Sequence, residues 1–161
     1  MITHDLVKEL FIYDDGNLYW KINRTGTAKQ GTKAGSINPT TGYMRVKVNG
    51  KQRLVHRIIY LFHHGVLPAI LDHINGNILD NRIENLREAT PAQNQYNAKL
   101  RKDNTSGIKG VTFRKSQKTW QVRVKINGVR KYIGDYKSLE LAEIAATEAR
   151  NKYHKEFAKH E

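Results

Sequence analysis

Two stretches of the chain carry the same compact instruction. Tyr43-Met44-Arg45-Val46-Lys47-Val48 alternates apolar and polar residues and then turns at Asn49-Gly50, while Trp120-Gln121-Val122-Arg123-Val124-Lys125-Ile126 alternates into Asn127-Gly128. A period of two sends successive side chains to opposite faces of a strand, and Asn-Gly is the pair that a type I′ hairpin turn selects. The chain is therefore committed to short antiparallel hairpins with one apolar face and one basic face. The residues flanking the two copies differ, so the match reflects shared hairpin chemistry rather than duplication.

Other elements follow from the same kind of pattern. Phe11-Ile12-Tyr13 and Asn17-Leu18-Tyr19-Trp20 flank Asp14-Asp15-Gly16, as in a further hairpin. A Gly/Thr/Lys-rich stretch, 24–42, reads as loop. Val55, Ile58, Ile59 and Phe62 have the spacing of one helix face, ending before Gly65 and Pro68. Ala69-Ile70-Leu71 leads into Asp72-His73, and Pro91 opens a helix over 91–99. Further on, Gly110 to Arg114 is a strand candidate beside the second hairpin. From Ser138, an N-cap, a helix runs to about Ala158 with Ala142, Ala145, Ala146 and Ala149 on its packing face.

Charge separates two regions. The chain has 161 residues, 28 Lys+Arg against 15 Asp+Glu, and a net charge of +13. Residues 1–100 hold +5 of that and 101–161 hold +8, with 11 basic residues facing only Asp103 and Asp135 in 101–137. A polar, basic run from Lys99 to Gly107 reads as a linker, placing a boundary near 100–105. An excess of this size points to a polyanion, nucleic acid before anionic membrane. The sequence holds no Cys, which excludes a disulfide scaffold and thiolate zinc sites. Its 39% hydrophobic content argues against wholesale disorder, and no apolar run approaches the roughly 18 residues of a membrane helix. Met1-Ile2-Thr3-His4-Asp5 lacks the pattern of a signal peptide, so a cytoplasmic location is expected.

Between 56 and 97 the chain concentrates His, Asp and side-chain amides: His56-Arg57, His63-His64, Asp72-His73-Ile74-Asn75-Gly76-Asn77, Asp80-Asn81-Arg82-Ile83-Glu84-Asn85 and Gln93-Asn94-Gln95-Tyr96-Asn97. No Ser-His-Asp order or Gly-rich phosphate loop competes with it. Phosphodiester hydrolysis needs a water nucleophile, a base, a cation to neutralise charge on the phosphate and leaving oxygen, and a hold on the backbone. His73 suits the base, because imidazole titrates near operating pH. An Asn carbonyl accepting from one ring N–H would orient it. Asp72 with a neutral Asn oxygen makes a weak site for a hard ion, completed by phosphate and water.

These blocks, Val55-His56-Arg57, Leu71-Asp72-His73-Ile74-Asn75-Gly76, Asp80 to Arg87 and Gln93-Asn94, preceded by Leu18-Tyr19-Trp20, Ala34-Gly35 and Gly42-Tyr43, resemble the HNH homing endonucleases of bacteriophages and mobile introns over roughly 6–97. The resemblance implies a ββα-metal domain in which Asp72 and Asn94 hold Mg²⁺ or Mn²⁺, His73 is the general base and Asn85 orients it. Residues 105–158, through Ser106-Gly107, Gly110-Val111, Arg114, Trp120, Ile133-Gly134 and Ala142-Ala145-Ala146, resemble the plant Apetala-two/ethylene-response-factor DNA-binding domain. That resemblance implies a three-stranded sheet on one helix, with Arg123, Lys125, Arg114 and Trp120 on the face turned to DNA.

The expectation is an α+β chain: residues 1–100 an HNH nuclease domain and 101–161 a linker with a DNA-docking sheet and helix. Double-stranded DNA, nicked or cut through, is the expected substrate and partner, with no membrane and no obligate protein partner, in host cytoplasm if phage-encoded. Arg45, Lys47, His56, Arg57, Arg114, Lys115, Trp120, Arg123, Lys125 and Arg130 are the candidate DNA contacts. The competing readings are an inactive DNA-binding regulator on the same two domains and an RNA-binding module.

Overall fold

The computed structural model describes residues 2–26, 28–98 and 100–158. It is a mixed α and β structure with four small antiparallel sheets, divided into two compact units, Met1–Glu88 and Ala89–Glu161. No helix among the described residues is long and apolar enough to cross a membrane.

The first unit begins with α1 (His4–Leu10), capped by the Thr3 hydroxyl accepting from the Leu6 N–H at 3.3 Å. Hairpin β1 (Phe11–Asp14) and β2 (Asn17–Trp20) follows. Inside the stretch expected as loop, β3 (Ser36–Ile37) adds an edge to β4 (Met44–Val48) and β5 (Lys51–Leu54). Asn49 and Gly50 both have positive φ, as the two central residues of a type I′ turn require. Helix α2 (Val55–His64) buries Val55, Ile58, Ile59 and Leu61. They join Val7, Phe11, Leu18 and Val46 in the unit's core, each fully buried side chain of this kind contributing about 1.5–3 kcal/mol. Strands β6 (Leu71–His73) and β7 (Leu86–Glu88) form the last pair, with a 3-10 turn at Ile83–Asn85 between them.

In the second unit, α3 (Pro91–Tyr96) starts with a full capping box: the Thr90 hydroxyl accepts from the Gln93 N–H, and Gln93 Oε1 accepts from the Thr90 N–H. It is shorter than the 91–99 expected, and Lys99 lies outside the described residues. Strands β8 (Val111–Arg114), β9 (Thr119–Ile126) and β10 (Val129–Tyr136) form a three-stranded sheet with β9 central. Helix α4 (Leu139–His154), capped by Ser138, lays Ala142 and Ala146 on Val111 and Val122. It stops four residues short of Ala158 because Lys155 turns to φ 51.

The compact units divide twelve residues before the boundary read from composition. The reason is Tyr96, which stacks on His154 with ring centroids 3.8 Å apart and planes 6° from parallel. Its hydroxyl also accepts from the Asn127 N–H at 2.6 Å. Helix α3 is thereby fastened to the sheet of the second unit, a link that charge counting does not register.

Candidate active site

Asp72 and His73 occupy adjacent positions on β6 and therefore face opposite ways. Asp72 is paired across the strands with Arg87, and His73 with Leu86. The Arg87 guanidinium donates from Nε to Asp72 Oδ2 at 2.9 Å, with Nη2 at 2.9 Å from the same oxygen. Both carboxylate and imidazole are nearly enclosed, Asp72 at 6% and His73 at 4% exposure.

His73 Nε2 lies 3.0 Å from Asn81 Oδ1. An acceptor at Nε2 selects the tautomer protonated there and leaves the lone pair on Nδ1. Asn81 is itself 1% exposed. Its backbone is held by the β1–β2 turn: a Cβ on Gly16, which has φ +80, would sit 2.8 Å from Arg82 N and 3.1 Å from Asn81 C. Tyr13 on the same hairpin accepts from the Ile83 N–H through its hydroxyl at 3.2 Å. The first hairpin thus buttresses the segment that carries the amide.

Asn85 does something different from what the resemblance implied. Its Oδ1 accepts from the Asn75 N–H at 3.0 Å, while its Nδ2 donates to Asn75 Oδ1 at 3.0 Å and to the Asp80 carbonyl at 2.7 Å. It braces the 74–80 loop, and the amide on the histidine is Asn81. Within that loop Asn75 Nδ2 donates to Asp80 Oδ2 at 2.7 Å, and the Arg82 guanidinium grips both Asp80 oxygens. The Arg82 hydrogen bonds hold the Asp80 carboxyl well below the usual carboxylate range.

His56, expected to contact DNA, is 5% exposed. Its ring meets His73 edge to face at 5.0 Å, and Tyr43 closes over both at 5.4 and 6.2 Å. Burial first, then the His73 and Arg57 charges, push its pKa down to about 3, so it is neutral at ordinary pH. It is a wall of the site rather than a phosphate contact. Arg57 turns to the backbone, donating to the Pro68 carbonyl at 2.8 Å and the Ala69 carbonyl at 3.3 Å, which anchors the approach to β6.

Hard divalent cations take one or two carboxylates with phosphate and water rather than an all-protein cage, and Asp72 supplies one buried carboxylate, held by Arg87, at the strand position next to His73. Among the described residues no cluster of three His, Cys, Asp or Glu side chains is present. Asn94 stands on α3, where its backbone N–H bonds the Thr90 carbonyl at 3.0 Å.

Arg45 and Lys47 share the outer face of β4, opposite buried Val46 and Val48. In the second unit, register puts Arg114, Arg123, Lys125 and Arg130 on one face of the sheet, with Tyr132 directly opposite Arg123. Trp120 is not with them. It shares parity with Val122 and Val124, and it packs, partly buried, against the helix-side core. Lys115 is exposed in the β8–β9 turn. The basic face also borders a groove of about 710 Å³ shared with Gln95, Tyr96, Ala98 and Leu100, where Lys125 Nζ donates to Gln95 Oε1 at 2.9 Å.

Residues 53–96 match the family described as HNH endonuclease. The chain is 36% identical over 100 residues to Protein 3.8 of Escherichia phage T7, covering 60% of this chain and 80% of that protein. It is 39% identical over 83 residues to an uncharacterized HNH endonuclease of Acanthamoeba polyphaga mimivirus, covering 50% of this chain and 41% of the relative. No solved structure matches.

Proposed function

This chain belongs to the family of Protein 3.8 of Escherichia phage T7 and carries an HNH endonuclease domain at residues 53–96, and on that premise we propose that it is a divalent-metal-dependent DNA endonuclease of homing type. The observation that carries the reading is the buried hydrogen bond between His73 and Asn81, one strand position from buried Asp72. It equips His73 Nδ1 to take a proton from a water attacking the scissile phosphate. Asn81 fixes the tautomer and the ring, while His56 and Tyr43 wall the imidazole and restrict water around it. Arg87 fixes the Asp72 carboxylate across the hairpin.

Asp72, and by the sequence pattern Asn94, are assigned to a cation such as Mg²⁺, which when bound would neutralise charge on the phosphate and the leaving oxygen. Strands β6 and β7 followed by α3 have the chain order of a ββα-metal motif, and that motif is part of the proposal. The basic face of the second unit is assigned to double-stranded DNA, chiefly its phosphates, since the arginines and lysines there need no particular base to make those contacts.

Incubation with supercoiled plasmid tests the reading. Open-circular or linear product is expected with Mg²⁺, none with EDTA, and none from His73→Ala at matched folding. Full cleavage by His73→Ala, or tight binding with no divalent-dependent product from the unaltered chain, would overturn it. The second outcome would describe a DNA-binding regulator.

A further inference from the structure

The first unit has a second strongly basic feature apart from the His73 site. A groove of about 540 Å³ lies between residues 24–25 and 28–36 on one side and the outer face of β3, β4 and β5 on the other. Arg24, Lys33, Arg45 and Lys47 line it, and no Asp or Glu does. None of the four is in an ion pair among the described residues. Four cations gathered without a counter-charge repel one another, and an anion seated among them removes that cost.

Two details make the groove more than a solvated lysine face. Arg24 is seated over Trp20, its Cζ 5.0 Å from the ring centroid, and Trp20 is 6% exposed, so the guanidinium rests on a rigid aromatic floor. Its Nη1 is enclosed yet has no hydrogen-bond partner, and a buried donor left unmade is costly. The remaining lining side chains include Thr25, Ser36, Asn49 and Gln52, all able to donate to oxygen. An apolar small molecule would find little here, since pockets for such ligands are lined mainly by hydrophobic groups. A chain of phosphates meets every requirement.

We propose that this groove is a phosphate-backbone dock for double-stranded DNA, with Arg24 and Lys33 acting beside Arg45 and Lys47. The inference rests on the endonuclease reading for the identity of the polyanion, and it adds a backbone contact separate from the basic sheet of the second unit.

The test measures binding of the full chain, carrying His73→Ala in EDTA so that nothing is cut, to a short labelled DNA duplex across a salt series. Each phosphate contact contributes about −0.9 to the slope of log affinity against log salt. Arg24→Gln, Lys33→Gln, Arg45→Gln and Lys47→Gln together are expected to flatten the slope by about 3 to 4. The same loss of charge at Lys102, Lys118, Lys137 and Lys152 is expected to change it by less than half as much. If the fourfold variant does not fold, Lys33→Gln with Lys47→Gln, both exposed, serves, with about half the effect. An unchanged slope, or one matched by the control, overturns the groove, as does a loss seen on duplex RNA and not on DNA. Failure of the endonuclease reading looks different: a chain that binds with this slope dependence but never nicks DNA in Mg²⁺.

Discussion

His73 Nε2 and Asn81 Oδ1 meet at 3.0 Å in the interior of the first unit, eight residues apart in the chain and joined by a loop that Asn85 holds shut. Orientation and loop bracing are thus divided between two asparagines, which makes their loss distinguishable. Asn81→Ala is expected to lower kcat for plasmid nicking by about 10- to 100-fold, the usual cost of removing the partner that orients a site histidine, with KM little changed. Asn85→Ala is expected to appear first in urea unfolding, as a loss of about 1–3 kcal/mol from the polar groups it leaves unpaired. The opposite assignment of effects would return the orienting role to Asn85.

Gly16 links a surface turn to that hydrogen bond. Gly16→Ala meets two obstacles, a φ of +80 and a new Cβ 2.8 Å from Arg82 N. Strain at such a position costs about 1–3 kcal/mol, and relief requires the Asn81-Arg82 backbone to move. The nicking rate should therefore fall by more than the fraction unfolded accounts for. Gly16→Asn separates the two causes, because Asn tolerates positive φ but still brings a Cβ. It should be as inactive as Gly16→Ala; full activity would show that backbone conformation alone matters there.

His56 gives the protein an acid-side weakness. Its folded pKa of about 3 lies below the 6.5 of an ordinary imidazole, so below about pH 6.5 the unfolded chain takes up a proton that the folded one refuses. Stability from this group is complete above 6.5 and is lost as pH falls toward 3, at up to about 1.4 kcal/mol per pH unit. The groups facing it are His73 and Arg57, both of which disfavour its protonation, and the Tyr43 ring. Urea unfolding of the unaltered chain and of His56→Gln at pH 5 and pH 7.5 checks this. The difference in stability between the two pH values should be smaller in the variant.

Much of this was legible in the sequence where the signal is local. The alternation at 43–48 and 120–126 with its Asn-Gly turns marks β4, β5, β9 and β10, and the 55, 58, 59, 62 spacing marks α2. Such periodicities are imposed by a single buried face, so a short window contains them. Asp72 and His73 stood out for a related reason, since their chemistry is carried by residue type. The Asn81 contact was hidden because four asparagines within eleven residues could each cap a turn, and only the closed 74–80 loop decides among them. His56 is a candidate DNA contact by sequence, but it is buried and packs against Tyr43, thirteen residues earlier. Trp120 lies on the helix side of the sheet and not on the basic face, as its parity with Val122 dictates. Helix α1 leaves little trace in the sequence because seven residues give little periodicity, and the reach of α3 depends on His154, nearly sixty residues downstream.

That last dependence carries a prediction about where the chain can be divided. Tyr96 is buried by its stack on His154, whose Nε2 lies 2.8 Å from the Lys125 carbonyl oxygen, and its hydroxyl bonds Asn127 at the β9–β10 turn. The HNH match runs to residue 96, so its final helix takes its packing from residues that a cut at 100 would remove. Tyr96→Ala is expected to destabilise the second unit by about 3 kcal/mol, the lower end for truncating a buried aromatic, with Tyr96→Phe losing about 1 kcal/mol for the hydroxyl. Fragment 89–161 should melt at a higher temperature than 101–161. Removing 101–161 from the full chain should end cleavage and not merely weaken DNA affinity, because α3 loses its partners. A 1–100 fragment that nicks plasmid at the full-length rate once DNA is saturating would show that α3 needs none of them.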